Sequence, residues 1–334
     1  MQKIKQIFSI SITALLLSWF MLSCESITPV ISPNPSCKIS TTSHGYNYPS
    51  QTIGSSGITT ATNTYQGELL TTTVSTISSS NTGSPTSTYT ATSTYNYDAN
   101  GYLQSLNYVT TPVIGQTTAT SLNTLYTYIN NKISSIVQTN NLTNTVMHTT
   151  NYTYDSQGNV STITAINNNY TETNTYTNNI LTGMTRVSLS GSVLKTYTIT
   201  NGRKTRETSG AATTPYFVYI YDAQGYLSEF QNWSSTSNMS SKTNYEFVNA
   251  KVAKNTLLGF PVITSTITGQ LMPSKSTTYN SSNIKTNETI TTYSLTSSGY
   301  VASSNATQTV FNTNGSVNGS PSTINQTYTY QDCN

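Results

Sequence analysis

Tyr95–Leu106 reads YNYDANGYLQSL, and the phrase returns as YTYDSQGNVSTI at Tyr152–Ile163 and as YIYDAQGYLSEF at Tyr219–Phe230. A looser form, YTYINNKISSI, occupies Tyr126–Ile136 and recurs as YEFVNAKVAKN at Tyr245–Asn255. Each copy runs from two alternating aromatics through a reversal to an aliphatic residue. Asp98 suits the opening of a type I turn and Gly101 the positive φ of a G1 bulge, so Ala99, Asn100 and Gly101 make a three-residue loop. Tyr97 is then paired with Leu103, and the same count pairs Tyr154 with Val160 and Tyr221 with Leu227. Asn130–Asn131 suits a two-residue type I′ turn, which sets Ile129 against Lys132 and Tyr128 against Ile133. The same scheme pairs Tyr176 with Leu181, and Phe247 with Val252 across Asn249–Ala250. Two turn chemistries thus place an aromatic opposite an aliphatic, a cross-strand pair that contributes roughly 0.2–1 kcal/mol. Such repetition predicts a chain of β-hairpins.

Two details strain the pattern. Asn201–Gly202 is a strong hairpin signal, yet it sets Ile199 opposite Lys204. Leu106, Ile136, Ile163 and Phe230, three residues past the paired aliphatics, fall on the other face by simple alternation. Either a second bulge intervenes or both faces of the sheet are partly covered.

Before Thr88 the pattern is weak, with a hairpin candidate at Tyr65–Leu69. Beyond it, turn signals stand at Asp98, Asn130, Asp155, Asn178, Asn201, Asp222, Asn249, Ser281, Thr296 and Asn312. The last two pair Leu295 with Val301 and Phe311 with Val317. These signals predict about twenty strands. Longer connections run from Thr111 to Gly115, Gly210 to Pro215, Ser234 to Asn238 and Gly259 to Pro273. Short turns at one end and longer loops at the other describe an all-β, up-and-down antiparallel meander of hairpins: a curved sheet, half-barrel or barrel. No helical period of ten or more residues follows the amino-terminal segment.

Residues 1–23 carry Lys3 and Lys5 and then an apolar run from Ile7 to Leu22, the layout of a secretory signal. The segment closes on Met21-Leu22-Ser23-Cys24, which resembles the lipobox of bacterial lipoproteins. That resemblance implies lipidation of Cys24 and membrane attachment through the lipid. Residues 24–36 hold Pro29, Pro33 and Pro35 and read as a tether reaching roughly 35 Å. Residues 37–334 are read as one β-repeat domain. Cys37 and Cys333 stand at its two ends, and an exported chain favours their pairing as a disulfide over two unrelated thiols.

The YxYDxxGxL phrase is similar to the YD repeats of bacterial Rhs-type proteins. Together with the lipobox it resembles bacteroidete surface lipoproteins described as having a porin-like fold. The likeness covers roughly residues 60–330 and implies a large curved or barrel-like antiparallel sheet. No Rhs core-processing motif or toxin domain is present, so encapsulation of a toxin is not implied.

Composition narrows the classes of function. Charged residues are only 7 % of the 334, far below the usual quarter. Aromatic surface comes from 25 tyrosines against 7 phenylalanines and 2 tryptophans. The register of Tyr, Ile, Val and Thr with turn signals excludes simple disorder. The formal charge of +3 includes Lys3 and Lys5, so the mature chain is near +1 and electrostatics select no partner.

No HExxH, CxxC, GxSxG or phosphate-cradling loop occurs. His44 and His148 lack a neighbouring ligand-like residue. Asp98, Asp155 and Asp222 are accounted for by their turns. Glu172, Glu207, Glu229, Glu246 and Glu288 are scattered over different predicted strands, so no glycosidase pair can be nominated. Arg203, Lys204 and Arg206 form one small cluster and no stripe, which argues against nucleic acid. Trp233, placed in a loop, is the candidate contact for a glycan or protein ligand, and the tyrosine ladder is read as structural. No catalytic, cofactor or metal site is assigned. The expectation is an outer-membrane or cell-surface, lipid-anchored scaffold or binding module that is not an enzyme. An outer-membrane β-barrel channel is the alternative, and a carbohydrate-active enzyme stands behind both.

Overall fold

The computed structural model describes residues 38–48, 55–81, 86–111, 119–210, 215–249 and 271–331. Among them the chain is all-β, with twenty strands. The first five are β1 (Lys38–Tyr48), β2 (Ser55–Gln66), β3 (Leu69–Asn81), β4 (Ser87–Tyr97) and β5 (Leu103–Thr110). Next come β6 (Ser121–Ile129), β7 (Lys132–Asn140), β8 (Thr145–Tyr154), β9 (Val160–Ala165) and β10 (Tyr170–Thr177). The third group is β11 (Ile180–Ser188), β12 (Val193–Thr200), β13 (Arg203–Ser209), β14 (Tyr216–Tyr221) and β15 (Leu227–Trp233). The last are β16 (Met239–Asn249), β17 (Leu271–Asn280), β18 (Lys285–Leu295), β19 (Val301–Val310) and β20 (Ser322–Gln331).

Every strand pairs antiparallel with its neighbours in sequence, and β20 pairs with β1 from Lys38↔Gln331 to Asn47↔Thr323. The sheet is therefore a closed up-and-down barrel, the closed member of the predicted set, and closure removes the exposed edges that invite aggregation. Following paired residues once around the wall gives a stagger of about 20 residues, close to the strand number. That relation tilts strands by about 36° and spaces opposite walls about 35–40 Å apart, wide enough to enclose a lumen that one layer of side chains does not fill.

The turns behave as their chemistry dictates. Gly101 takes φ 85° and Asp98 accepts amide hydrogens from Asn100 and Tyr102, each at 2.9 Å. Asp155 and Asp222 open the equivalent turns. Asn130 and Asn131 adopt φ 51° and 61°, as a type I′ turn requires. Tyr97↔Leu103, Tyr128↔Ile133, Tyr154↔Val160, Tyr176↔Leu181 and Tyr221↔Leu227 are paired. So are Tyr65↔Leu70, Leu295↔Val301 and, as an isolated bridge, Phe311↔Val317. Ile199 does face Lys204.

A second bulge resolves the strain noted above. Register shifts at Asn96/Tyr97, Thr127/Tyr128, Thr153/Tyr154 and Ile220/Tyr221 bring the next apolar residue back to the aromatic face. Tyr95 thereby faces Leu106, Tyr126 faces Ile136, Tyr152 faces Ile163 and Tyr219 faces Phe230.

Phe247 pairs with Pro273 of β17; Ala250 and Val252, on which the expected hairpin at Asn249–Ala250 depends, lie outside the described residues. Two expectations are corrected. Residues 259–270 of the expected Gly259–Pro273 connection lie outside the described residues, while Pro273 itself is inside β17. Short turns also occur at the end expected to carry only longer loops, as at Asn280–Ile284, where Asn283 takes φ 58°.

The two faces of the wall differ. All the buried residues except Lys38, Tyr216 and Thr277 lie on the face that carries the repeated tyrosines, including Leu103, Ile133 and Val301 at 0 % exposure. Side chains converge inside a closed barrel and splay outside it, so this tyrosine face is the inner one. The outer face is threonine-rich. One row runs Thr153–Thr162–Thr173–Thr185–Thr196–Thr208 across six strands. Exposed Ile58, Val74, Val109 and Leu125 are scattered singly among such positions.

Candidate functional site

The inner face is built as a series of rungs. The Tyr65 hydroxyl donates to the Ile39 carbonyl at 3.0 Å, Tyr97 to Leu70 at 2.9 Å, Tyr128 to Leu103 at 2.9 Å and Tyr154 to Ile133 at 2.7 Å. Tyr221, Tyr293 and Tyr330 repeat the bond to Lys204, Pro273 and Val301. Each ring therefore lies along the inner wall and ties one hairpin to the one before it, where its polar tip finds the partner that burial demands. Burial pushes the Tyr97, Tyr154 and Tyr221 hydroxyls up to about 12.

Between β10 and β14 the inner face changes character. Tyr170, Glu172, Asn174 and Tyr176 alternate along β10 and point inward together. Glu172 is paired in register with Arg186 on β11, and Arg186 with Lys195 on β12. Tyr197 is paired with Glu207 on β13. Arg186 donates through Nε and Nη2 to Glu172 Oε2, at 3.2 and 2.8 Å. Lys195 and Lys204 hold the two oxygens of Glu207, Lys204 at 3.0 Å, and the Tyr219 hydroxyl also donates to Oε2 at 3.1 Å. Arg186 lies 4.2 Å over the Tyr170 ring, and Lys204 lies 4.3 and 5.4 Å over Tyr219 and Tyr197. The Asn174 amide donates to the Val160 carbonyl at 3.2 Å, while its Oδ1 is buried without a partner.

The electrostatics follow from this packing. Burial raises the Glu207 carboxyl, but hydrogen bonds from Lys195 and Lys204 outweigh it and hold the group below the ordinary carboxylate value. Burial lowers Arg186, and its bonds to Glu172 more than reverse that. Burial, then the charge of Glu207, pushes the Tyr219 hydroxyl well above the ordinary phenol value. Burial likewise lifts Tyr197, against the opposing charge of Arg186.

Sequence reasoning treated Glu172 and Glu207 as scattered. The barrel brings both to one inner patch, and parity carried the signal: Tyr170-x-Glu172-x-Asn174-x-Tyr176 puts a carboxylate on the aromatic side of a strand. Glu229, Glu246 and Glu288 belong to the outer face instead, where Lys275 meets Glu246 at 3.3 Å and Lys285 meets Glu288 at 3.4 Å. Trp233 is the last residue of β15, not a loop residue, because it pairs with both Tyr216 and Met239. Its ring stacks on Tyr216 at 5.6 Å and 5° on the outer face, with Arg206 3.9 Å over the Tyr216 ring. His44 and His148 both sit on the inner face, on β1 and β8. Among the described residues no group of three or more His, Cys, Asp or Glu could hold a metal ion. Cys24, Cys37 and Cys333 lie outside the described residues; Lys38 and Gln331, just inside the latter two, are paired.

No family model matches the chain, and no curated protein is similar to it. Among solved structures, a porin-like protein from Bacteroides uniformis ATCC 8492 is 14 % identical over 90 % of this chain and 99 % of its own, with a TM-score of 0.41. The complex named TcdB2–TccC3–Cdc42 is 14 % identical over 76 % of this chain and 16 % of its own, with a TM-score of 0.28. Both are distant likenesses, and the closed barrel is established by the strand pairing.

Proposed function

We propose that the chain is an exported, lipid-anchored β-barrel that stands in water at the outer membrane or cell surface and binds ligand in its tyrosine-lined lumen, without catalysis. The observation that carries this reading is the polarity of the wall. A lipid-embedded barrel presents an apolar band outward, and each Lys or Arg on that face costs roughly 2–4 kcal/mol near the midplane. Here the outer face carries threonine rows together with Arg206, Lys242, Lys275 and Lys285 among its scattered aliphatics, while the repeated tyrosines and the buried aliphatics face inward. Lipid attachment at Cys24 supplies the membrane contact that the barrel surface does not, and residues 25–36 span the gap. A Cys37–Cys333 disulfide would clamp the seam where Lys38 pairs with Gln331.

The test is labelling with a radioactive fatty acid followed by release of the barrel. Incorporation should vanish in Cys24→Ser, and that variant should run as a monodisperse species without detergent. A detergent requirement for the Cys24→Ser protein, with conductance steps in planar bilayers, would instead support the channel.

A further inference from the structure

The inner patch on β10–β13 offers more positive hydrogen-bond donors than it has acceptors. Glu172 and Glu207 are buried beneath it, each side chain 7 % exposed, whereas Arg186, Lys195 and Lys204 stand out at 28, 37 and 23 %. Arg186 uses Nε and Nη2 on Glu172, which leaves the N–H groups of Nη1. Each ammonium has three N–H groups and gives one to Glu207. What the lumen meets is therefore a shelf of three cations held in place from below. Tyr197 and Tyr219 stand beside it, and burial lifts both hydroxyls further above neutral pH.

The neighbouring wall is different. The inward positions of β2–β8 carry Asn63, Thr73, Ser93, Gln138 and tyrosines and, away from the hairpin ends, no charge. A ligand with a charge on every unit, such as a nucleic acid, would find one cationic shelf and, beyond it among the described residues, only single cations at hairpin ends, where Lys38, Lys132 and Arg203 lie over Tyr65, Tyr154 and Tyr221. A polymer with sparse negative charge and many hydroxyls matches both parts.

We infer that the Arg186–Lys195–Lys204 shelf binds the carboxylate or sulfate of an acidic polysaccharide, whose neutral hydroxyls contact the remaining lumen wall. This rests on the lumen being the binding surface. Titration calorimetry of the Cys24→Ser protein tests it with polygalacturonate, alginate and chondroitin sulfate, alongside fully methyl-esterified polygalacturonate, dextran, sodium sulfate and oligothymidylate.

At least one acidic polymer should bind, weaken with added salt, and exceed the neutral polymers by about tenfold or more. The Glu172→Gln/Arg186→Gln double variant exchanges an ion pair for a neutral amide pair, so it should fold and lose about tenfold in affinity. Lys242→Gln on the outer face should leave affinity unchanged. Equal binding of esterified and free polymer would overturn the acidic assignment while leaving the lumen in place. Binding of sulfate without polymer, or tighter binding of oligothymidylate, would also overturn it. An effect of Lys242→Gln equal to that of the double variant would move the site outside. Binding of no polymer would remove both the shelf and the lumen reading.

Discussion

The wall from β2 to β9 and the wall from β10 to β14 are built on one repeat and differ in what they place inside. In the first sector the same rung recurs, with Tyr97, Tyr128 and Tyr154 each donating to the preceding hairpin's carbonyl. Charges there sit at hairpin ends, where Lys132 reaches the Gly158 carbonyl at 3.0 Å over the Tyr154 ring. In the second sector the Val160 carbonyl is taken by Asn174, Ile199 stands in the tyrosine position, and two carboxylates are buried with three cations. A wall can be closed with tyrosine rungs alone, as the first sector shows. Charges that replace them cost desolvation, and such departures from a local rule are expected where a protein acts.

The contrast can be broken at graded expense. The largest effect should come from alkali, which attacks every rung. A phenol whose folded pKa is raised contributes stability that is complete below its unfolded value near 10 and is lost as pH climbs through the folded value. For Tyr97, Tyr154 and Tyr221 that window runs from about 10 to about 12. Tyrosinate absorbance and far-ultraviolet circular dichroism should change together and cooperatively within it. Ordinary titration near 10 with the sheet intact would disprove the rungs.

Leu103→Ala, at a fully buried position of the regular sector, should lower stability by about 3 kcal/mol in urea unfolding. Glu207→Gln should cost less, about 2 kcal/mol, because the two lysines it abandons are partly solvated. The Glu207 contribution also carries a pH signature of the opposite sense to the tyrosines. Its depressed pKa adds stability above the unfolded value near 4.3 that is lost as pH falls, and Glu207→Gln should flatten that acid limb. Tyr128→Phe removes one rung and should cost about 1 kcal/mol. Thr185→Val, in the outer row, should change stability by no more than about 0.5 kcal/mol.

The hairpins were legible because their determinants are local: Asp98 with Gly101, or Asn130 with Asn131, fixes a register within six residues. Closure was not, since Lys38↔Gln331 joins the two ends of the described chain and no turn encodes it. The second bulge could be posed from Leu106 and Ile136 but not decided, because a bulge is chosen by what the neighbouring strand packs against. The inner patch was legible in part, as inward parity of Glu172, but its partners Arg186 and Lys195 become neighbours only through the register of three strands. Trp233 looked like a loop residue beside Ser234–Asn238, and cross-strand pairing keeps it in the sheet.

The orientation of the wall is tested most directly by adjacent cysteines at Thr62 and Ala61, whose side chains leave β2 on opposite faces. Each is reacted, in detergent-free buffer and over the background of the native cysteines, with a maleimide carried on a globular protein wider than the lumen. Thr62→Cys should label rapidly and Ala61→Cys slowly. A barrel turned the other way, with tyrosines outward, would reverse the two rates.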